Sequence, residues 1–287
     1  MPLFPLFDCC CNIFFSIFLA IKKQSVTFAP YHFIRMAFTT TYIPETDSTN
    51  HWLREHGGKD DQLVWTDYQT AGRGCGSNTW ESERGKNLLF SLLVHPHELK
   101  ANNQFRISMA ISVAIVKALS SHLSPLTSHS SPLTSQSSPL TSHSSALSIK
   151  WPNDIYWKDS KLGGILIENQ LAGAFVRDSI IGVGLNVNQT LFLSDAPNPV
   201  SLRQIIGREH DREKLLLSVV EHFSLDVNAE EYRSLLYRRQ GFHPYRDKEG
   251  DFEAELITVE DDGHLLLRDR NGRQRRYAFK EVQFILS

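Results

Sequence analysis

Cysteine is scarce and placed so that it cannot bridge: Cys9, Cys10 and Cys11 stand together, and Cys75 stands alone in the remainder of the 287 residues. That excludes a disulfide-stapled fold and fits a reducing, cytoplasmic setting. Net charge is nearly absent, −2 at pH 7, so no global basic field draws the chain to nucleic acid. The most apolar stretch, Ile13 to Ile21, is shorter than the roughly 18–20 residues that span a bilayer. Positive charge (Lys22, Lys23) follows that stretch where a secretory signal would have it in front, and no small-residue cleavage site succeeds it. Residues 1–36 therefore read as a leader, disordered or the product of an upstream start, with Met36 opening the working protein. Two nucleotide signatures are missing too. No GxxxxGK[ST] loop occurs, and GxGxxG fails because Ser77 stands where its last glycine would be.

What is present describes an ordinary globular chain, 41% hydrophobic and 22% charged, long enough for one large domain or a large and a small one. Helices and strands alternate from Thr40. A short strand at Tyr42-Ile43 precedes a helix to Glu55, capped by Asp47 or Ser48, whose side-chain oxygens can accept first-turn amides. Leu63–Tyr68 and Asn87–Val94 read as strands, and Phe105, Met109, Val113 and Val116 recur at helical spacing up to Leu119. Further strands are expected at Leu147–Trp151, Ile155–Trp157, Leu162–Asn169 and Ser179–Asn186, then one long helix from Arg212 to Tyr237 capped by Asp211.

Between these lies Ser124-Pro-Leu-Thr-Ser, repeated at Ser131 and Ser138. Its prolines remove helix donors and its Ser/Thr content leaves too little apolar surface to offset ordering entropy, so 121–146 reads as a disordered insertion in a surface loop. His129 and His143 have no thiol or carboxylate near them and are read as solvated. Past Gly241 the texture changes to short strands with turns at Glu249-Gly250, Asp262-Gly263 and Asn271-Gly272. A large unit at 37–238 and a small β unit at 240–287 are expected.

Two stretches carry chemistry. In Gly72-Arg73-Gly74-Cys75-Gly76-Ser77-Asn78-Thr79-Trp80, spaced glycines allow close backbone approach to an anion, and one guanidinium suits a phosphate. Lys150-Trp151-Pro152-Asn153-Asp154, followed by Lys161-Leu162-Gly163-Gly164-Ile165-Leu166, packs two lysines, an amide and a carboxylate around a proline turn. A fixed ammonium at Lys161 can sit between two anions brought together for reaction. An exposed turn lysine, and an Asx turn at Asn153-Asp154, are the plainer alternatives.

The GRG loop with KWPND and KLGGIL, preceded by Asp47-Ser48-Thr49-Asn50 and followed by Gly182-Val183-Gly184-Leu185-Asn186, resembles the biotin protein ligases, in particular the short bacterial form without a DNA-binding domain. The resemblance implies an α/β (α+β) fold, with a mixed-sheet catalytic domain and a small C-terminal SH3-like β-barrel. It implies formation of biotinyl-5'-AMP from biotin and ATP with Mg²⁺, then transfer to one lysine of a biotin carboxyl carrier domain. On this reading Lys161, Arg73 and Asp154 are catalytic, with Asp154 also the metal ligand. Biotin is held by Ser48, Thr49, Asn50, Gln69, Gly72, Arg73, Lys161 and Gly164, and ATP by Gly74, Trp80, Asn87, Lys150, Asn153 and Asn186. The polar Ser48-Thr49 and Gln69 set favours biotin over lipoate or octanoate. No nucleic acid partner is expected, since the leader is too short and apolar for a helix-turn-helix module; a homodimer is compatible with the reading. One departure stands out: the family pattern commonly has arginine at the place of Cys75 and glycine at that of Ser77.

Overall fold

The computed structural model describes residues 38–123, 146–194 and 198–286. The leader, and the repeat from Ser124 to Ser145, lie outside the described residues.

The larger sheet begins with β1 (Thr39–Thr46), β2 (Gln62–Gln69) and β3 (Leu88–Val94), with α1 (Thr49–His56) between the first two. After α2 (Phe105–Leu123) come β4 (Leu147–Lys150), β5 (Asp154–Trp157), β6 (Ser160–Ala172) and β7 (Phe175–Leu185). The spatial order is β1-β2-β3-β7-β6-β5-β4. Only β1 and β2 run parallel; the other neighbours are antiparallel, so the sheet is mixed.

β3, Leu-Leu-Phe-Ser-Leu-Leu-Val, is buried along its whole length because both faces are covered. Phe90, Leu92 and Val94 join the main core, which includes α2, whereas Leu93 packs with Leu53 of α1, Val64 and Ile180. α2 is apolar on nearly all sides and buried, the expected state of a helix lying between a sheet and further helices. Its outer neighbours are α4 (Arg212–His222) and α5 (Ala229–Ser234).

The single long helix expected at 212–237 is in fact α4 and α5. Asp211 caps α4 through Lys214 N at 3.0 Å, but the chain leaves helix at Phe223, and Asn228 starts α5 afresh by accepting from Glu230 N at 2.9 Å. Ser224 and Asp226 form a local side-chain turn in the gap, competing with helical hydrogen bonds. Residues 121–123, expected within the insertion, are instead the last residues of α2. A short helix, α3 (Leu202–Ile206), went unforeseen; Ser201 and Gln204 form its capping box.

The C-terminal strands β8 (Phe242–Asp247), β9 (Gly250–Val259), β10 (Leu265–Asp269), β11 (Gln274–Tyr277) and β12 (Gln283–Phe284) form a separate antiparallel sheet in the order β11-β10-β9-β8-β12, compatible with the expected barrel. Its turns are glycine-dependent: Gly250, Gly263 and Gly272 have φ of 120°, 93° and 80°. The two sheets are joined by specific contacts. Trp151 Nε1 donates to Gly263 O at 2.9 Å, and Arg233 Nε to Val259 O at 2.8 Å.

Candidate active site

Lys161 lies near the start of β6, where its backbone is fixed on both sides. Its N–H donates to Asn198 O at 2.8 Å, and its carbonyl accepts from Val200 N at 2.9 Å. The Nζ donates to Asp154 Oδ2 at 2.9 Å, with both side chains about a quarter exposed. Asp154 opens β5 opposite Lys150, so the tight turn through Pro152 returns the carboxylate to β6. One ammonium, oriented but only partly covered, thus faces a cleft.

Trp80 forms the cleft's other wall. Its ring lies on Gly164 and Gly184 so closely that a Cβ at either would come within 2.9 or 2.4 Å of it, and Lys161 Nζ is 5.9 Å from the ring centre. Glycine at these two positions is a packing requirement. The indole Nε1 is buried with no hydrogen-bond partner among the described residues, and the remaining cavity, lined by Thr79, Trp80, Glu81, Lys161, Asn186 and Phe192 among others, has a volume of only about 40 Å³. A larger hollow of about 550 Å³ lies elsewhere, between Tyr237, Arg238, His243 and Ile285.

The glycine-rich segment is a tight hairpin. Gly74 N donates to Asn78 O at 2.7 Å and Trp80 N to Gly72 O at 3.0 Å; Gly76 turns at φ 71°. Gly72 is buried, since a side chain there would meet the Trp80 carbonyl at 2.7 Å. Arg73 is exposed and has no side-chain partner among the described residues.

At the head of α1, Ser48, Thr49 and Asn50 are buried at 3–4% exposure. Ser48 occupies the cap position, yet its side chain makes no capping bond. Gln69 Oε1 instead receives Thr49 N at 2.8 Å and Thr49 Oγ1 at 3.0 Å. Sequence reasoning missed Ser91, whose hydroxyl lies 2.7 Å from Thr49 Oγ1 and 2.6 Å from Asn50 Oδ1. The signal was available, a lone hydroxyl in an otherwise apolar strand. Glu81 was missed too: its carboxylate accepts from Leu193 N at 2.9 Å and Ser194 N at 2.7 Å, pinning the segment at the cleft mouth. Burial would raise its pKa, but these amides and the Ser194 hydroxyl hold it below the ordinary value.

Two expected ligand contacts have their polar groups committed elsewhere. Asn87 is fully buried, its Nδ2 donating to Gln189 Oε1 at 2.7 Å and its Oδ1 accepting from Val187 N at 3.1 Å, so it braces the turn after β7 and presents nothing to a nucleotide. Asn50 is likewise occupied by Ser91 and by Glu168, with its Oδ1 seated where a Gly182 side chain would be. Asn186 sits beside Lys161, donating to its carbonyl at 3.4 Å, and Asn153 Nδ2 is tied to Ser108 of α2 at 3.1 Å. Lys150 makes no ion pair among the described residues; its Nζ rests on aromatic faces.

Known proteins similar to this chain share one family description. A sequence profile described as "Biotin/lipoate A/B protein ligase family" matches residues 41–186. The bifunctional ligase/repressor BirA of Bacillus subtilis is 29% identical over 258 residues, 82% of this chain and 70% of that protein. A biotin-[acetyl-CoA-carboxylase] ligase of Paracoccus denitrificans is 26% identical over 262 residues, 81% and 95% of the two chains. Among solved structures, the biotin protein ligase from Aquifex aeolicus in complex with biotin and ATP aligns with a TM-score of 0.67 at 23% identity, covering 86% of this chain and 99% of that one. With the profile spanning half its length from β1 through Asn186, the chain belongs to the biotin/lipoate A/B protein ligase family.

Proposed function

We propose that this chain is an ATP-dependent biotin protein ligase. A biotin carboxylate oxygen attacks the α-phosphorus of ATP; the new O–P bond replaces the bond to the β-phosphate bridge, and pyrophosphate leaves. The neutral ε-amine of a carrier-domain lysine then attacks the acyl carbon, the C–N bond replaces C–O, AMP departs, and the amine gives up a proton.

The observation that carries this reading is Lys161, held by Asp154 against the glycine floor and facing Trp80. Bringing a carboxylate to a polyphosphate is opposed by like charge, and a preorganised ammonium offsets that most where charge accumulates on phosphorus. We assign Arg73 to the same anions, since it is exposed and has no side-chain partner among the described residues. Lys150 is assigned to phosphate neutralisation, Asn186 to positioning Lys161, and Trp80 to covering the adenine. Ser48, Thr49 and Gln69, with Ser91 behind them, are assigned to the ureido ring of biotin. That polar wall, and relatives named for biotin, make lipoate or octanoate the weaker substrate.

Asp154 suits magnesium. One carboxylate oxygen is engaged by Lys161, leaving the other for an ion that binds through few protein ligands and keeps phosphate oxygens and water around it. When bound, the ion neutralises phosphate charge. The acceptor is assigned as the biotin carboxyl carrier domain of a carboxylase, the location as the cytoplasm, and a homodimer is retained from the family resemblance. We divide the chain into a catalytic unit, 37–238, and a small unit, 240–287.

Incubating the protein with biotin, ATP and magnesium, without acceptor, tests the first half-reaction. Biotinyl-adenylate and pyrophosphate should appear in equal amounts. Lipoyl-adenylate formed in preference to biotinyl-adenylate would overturn the biotin assignment.

A further inference from the structure

Lys150 is the most unusual cation in the site. Its Nζ lies 4.9 Å from the ring centre of Phe284 and 5.7 Å from that of Tyr156, and among the described residues no carboxylate pairs with it. Burial pulls its pKa below the ordinary lysine value; Asp154 opposes that shift, while Lys161 and Arg238 add to it. Removing an ammonium from water without a counter-ion is costly. Two aromatic faces offset part of the cost through their quadrupoles, and they leave the N–H donors free for an incoming anion.

The aromatic walls come from different units. Tyr156 belongs to β5 and is 1% exposed, whereas Phe284 belongs to β12 of the small unit. Phe284 is itself fixed. It stands edge-on to Tyr245 at 5.0 Å, approaches Tyr237 at 6.3 Å, and pairs in register with Tyr245 of β8. The next residue of the turn is gripped from the same side, since Trp151 Nε1 donates to Gly263 O and its ring meets Phe279 edge-on at 6.1 Å. At the far end of the turn, Asp154 holds Lys161. One short segment thus links the small unit to the reacting centre.

We propose that Phe284 is a positioning residue which, with Tyr156, holds the Lys150 ammonium ready for the phosphate oxygens of ATP. The proposal rests on the nucleotide role assigned to Lys150 above.

Steady-state pyrophosphate release by the full chain separates the possibilities, with ATP varied at saturating biotin and biotin varied at saturating ATP. Phe284→Leu keeps apolar bulk and removes the π face; it should raise KM for ATP about tenfold while KM for biotin and the unfolding midpoint stay near wild type. Phe284→Tyr restores a face and should restore KM. Lys150→Met should raise KM for ATP as well, and Phe284→Leu in that background should raise it no further. An unchanged KM for ATP in Phe284→Leu, an equal loss in Phe284→Tyr, or full additivity in the double variant overturns the proposal. If Phe284→Leu does not fold, Phe284→Met replaces it in the same comparison. Wild-type KM for ATP in Lys150→Met overturns both Lys150's role and this proposal, leaving biotin ligation standing; a wild-type chain that releases no pyrophosphate overturns the ligation reading itself.

Discussion

Lys161→Ala removes the ammonium between the two reacting anions and is expected to lower kcat/KM for adenylate formation by about 10²–10³-fold with the fold intact. Pyrophosphate release, read alongside far-UV circular dichroism, checks both halves of that expectation. Asn87→Ala should behave the opposite way. It leaves Val187 N without its buried acceptor and Gln189 Oε1 with only the Glu83 amide, destabilising the protein by about 2 kcal/mol, while KM for ATP stays within about twofold. Denaturant titration and ATP kinetics on the same preparation would decide between a brace and a ligand. At Cys75 a thiol stands where the family resemblance implies a guanidinium, so the loop has no fixed cation at that position to close over the adenylate. The wild type, without acceptor, should then deposit more biotin on an unrelated lysine-rich protein than Cys75→Arg does; equal, negligible labelling by both refutes the leak. Sequence legibility at this scale followed chemistry. Lys161 and Asp154 stood out because charge beside a glycine pair is hard to justify by packing, whereas Asn87 and Asn50 looked like ligands because a chain written in one dimension does not show which amides are already engaged by residues a hundred positions away.

Secondary structure was readable where one rule dominated. The period of α2 and the apolar run of β3 left few alternatives, and Asp211 caps α4 as its residue type suggests. The break at Phe223 was not readable, because Ser224 and Asp226 compete with the helix only through local geometry that composition leaves open. Gly263 shows how much a turn can carry. It has φ 93°, a side chain there would meet the Phe105 ring at 2.6 Å, and its carbonyl accepts from Trp151. Gly263→Ala should therefore cost about 2–3 kcal/mol, combining left-handed backbone strain with overpacking against α2. A fall in the thermal midpoint of several degrees is the expected reading; a change within error would mean the turn and α2 yield easily.

Across the whole molecule, the most covered acid-sensitive ion pairs lie in the small C-terminal sheet. In the small sheet, Arg275 bridges Asp247 at 3.2 Å and Asp269 at 3.0 Å, both carboxylates being 6% exposed. Burial alone would raise their pKa values. For Asp247 the Tyr277 hydroxyl, the Glu249 amide and Arg275, and for Asp269 Arg275 with the Arg273 and Asn271 amides, hold them below the ordinary carboxylate value. Carboxylates depressed in the folded state contribute stability that is full above their unfolded pKa, about 4, and lost as pH falls through the lower folded value. The small unit should accordingly loosen as pH drops below about 4, and amide exchange of β8–β11 should rise there; exchange in these strands that is flat from pH 6 to 3, after correction for intrinsic rates, would contradict this. The activity as a whole has one direct test. Wild-type protein is incubated with ATP, magnesium, an equimolar mixture of biotin and lipoate, and a biotin carboxyl carrier domain, and the intact carrier is weighed by mass spectrometry. The carrier should gain the mass of one biotinyl group, on a single lysine and only when ATP is present; an unmodified or lipoylated carrier would contradict the assignment of this chain as a biotin protein ligase.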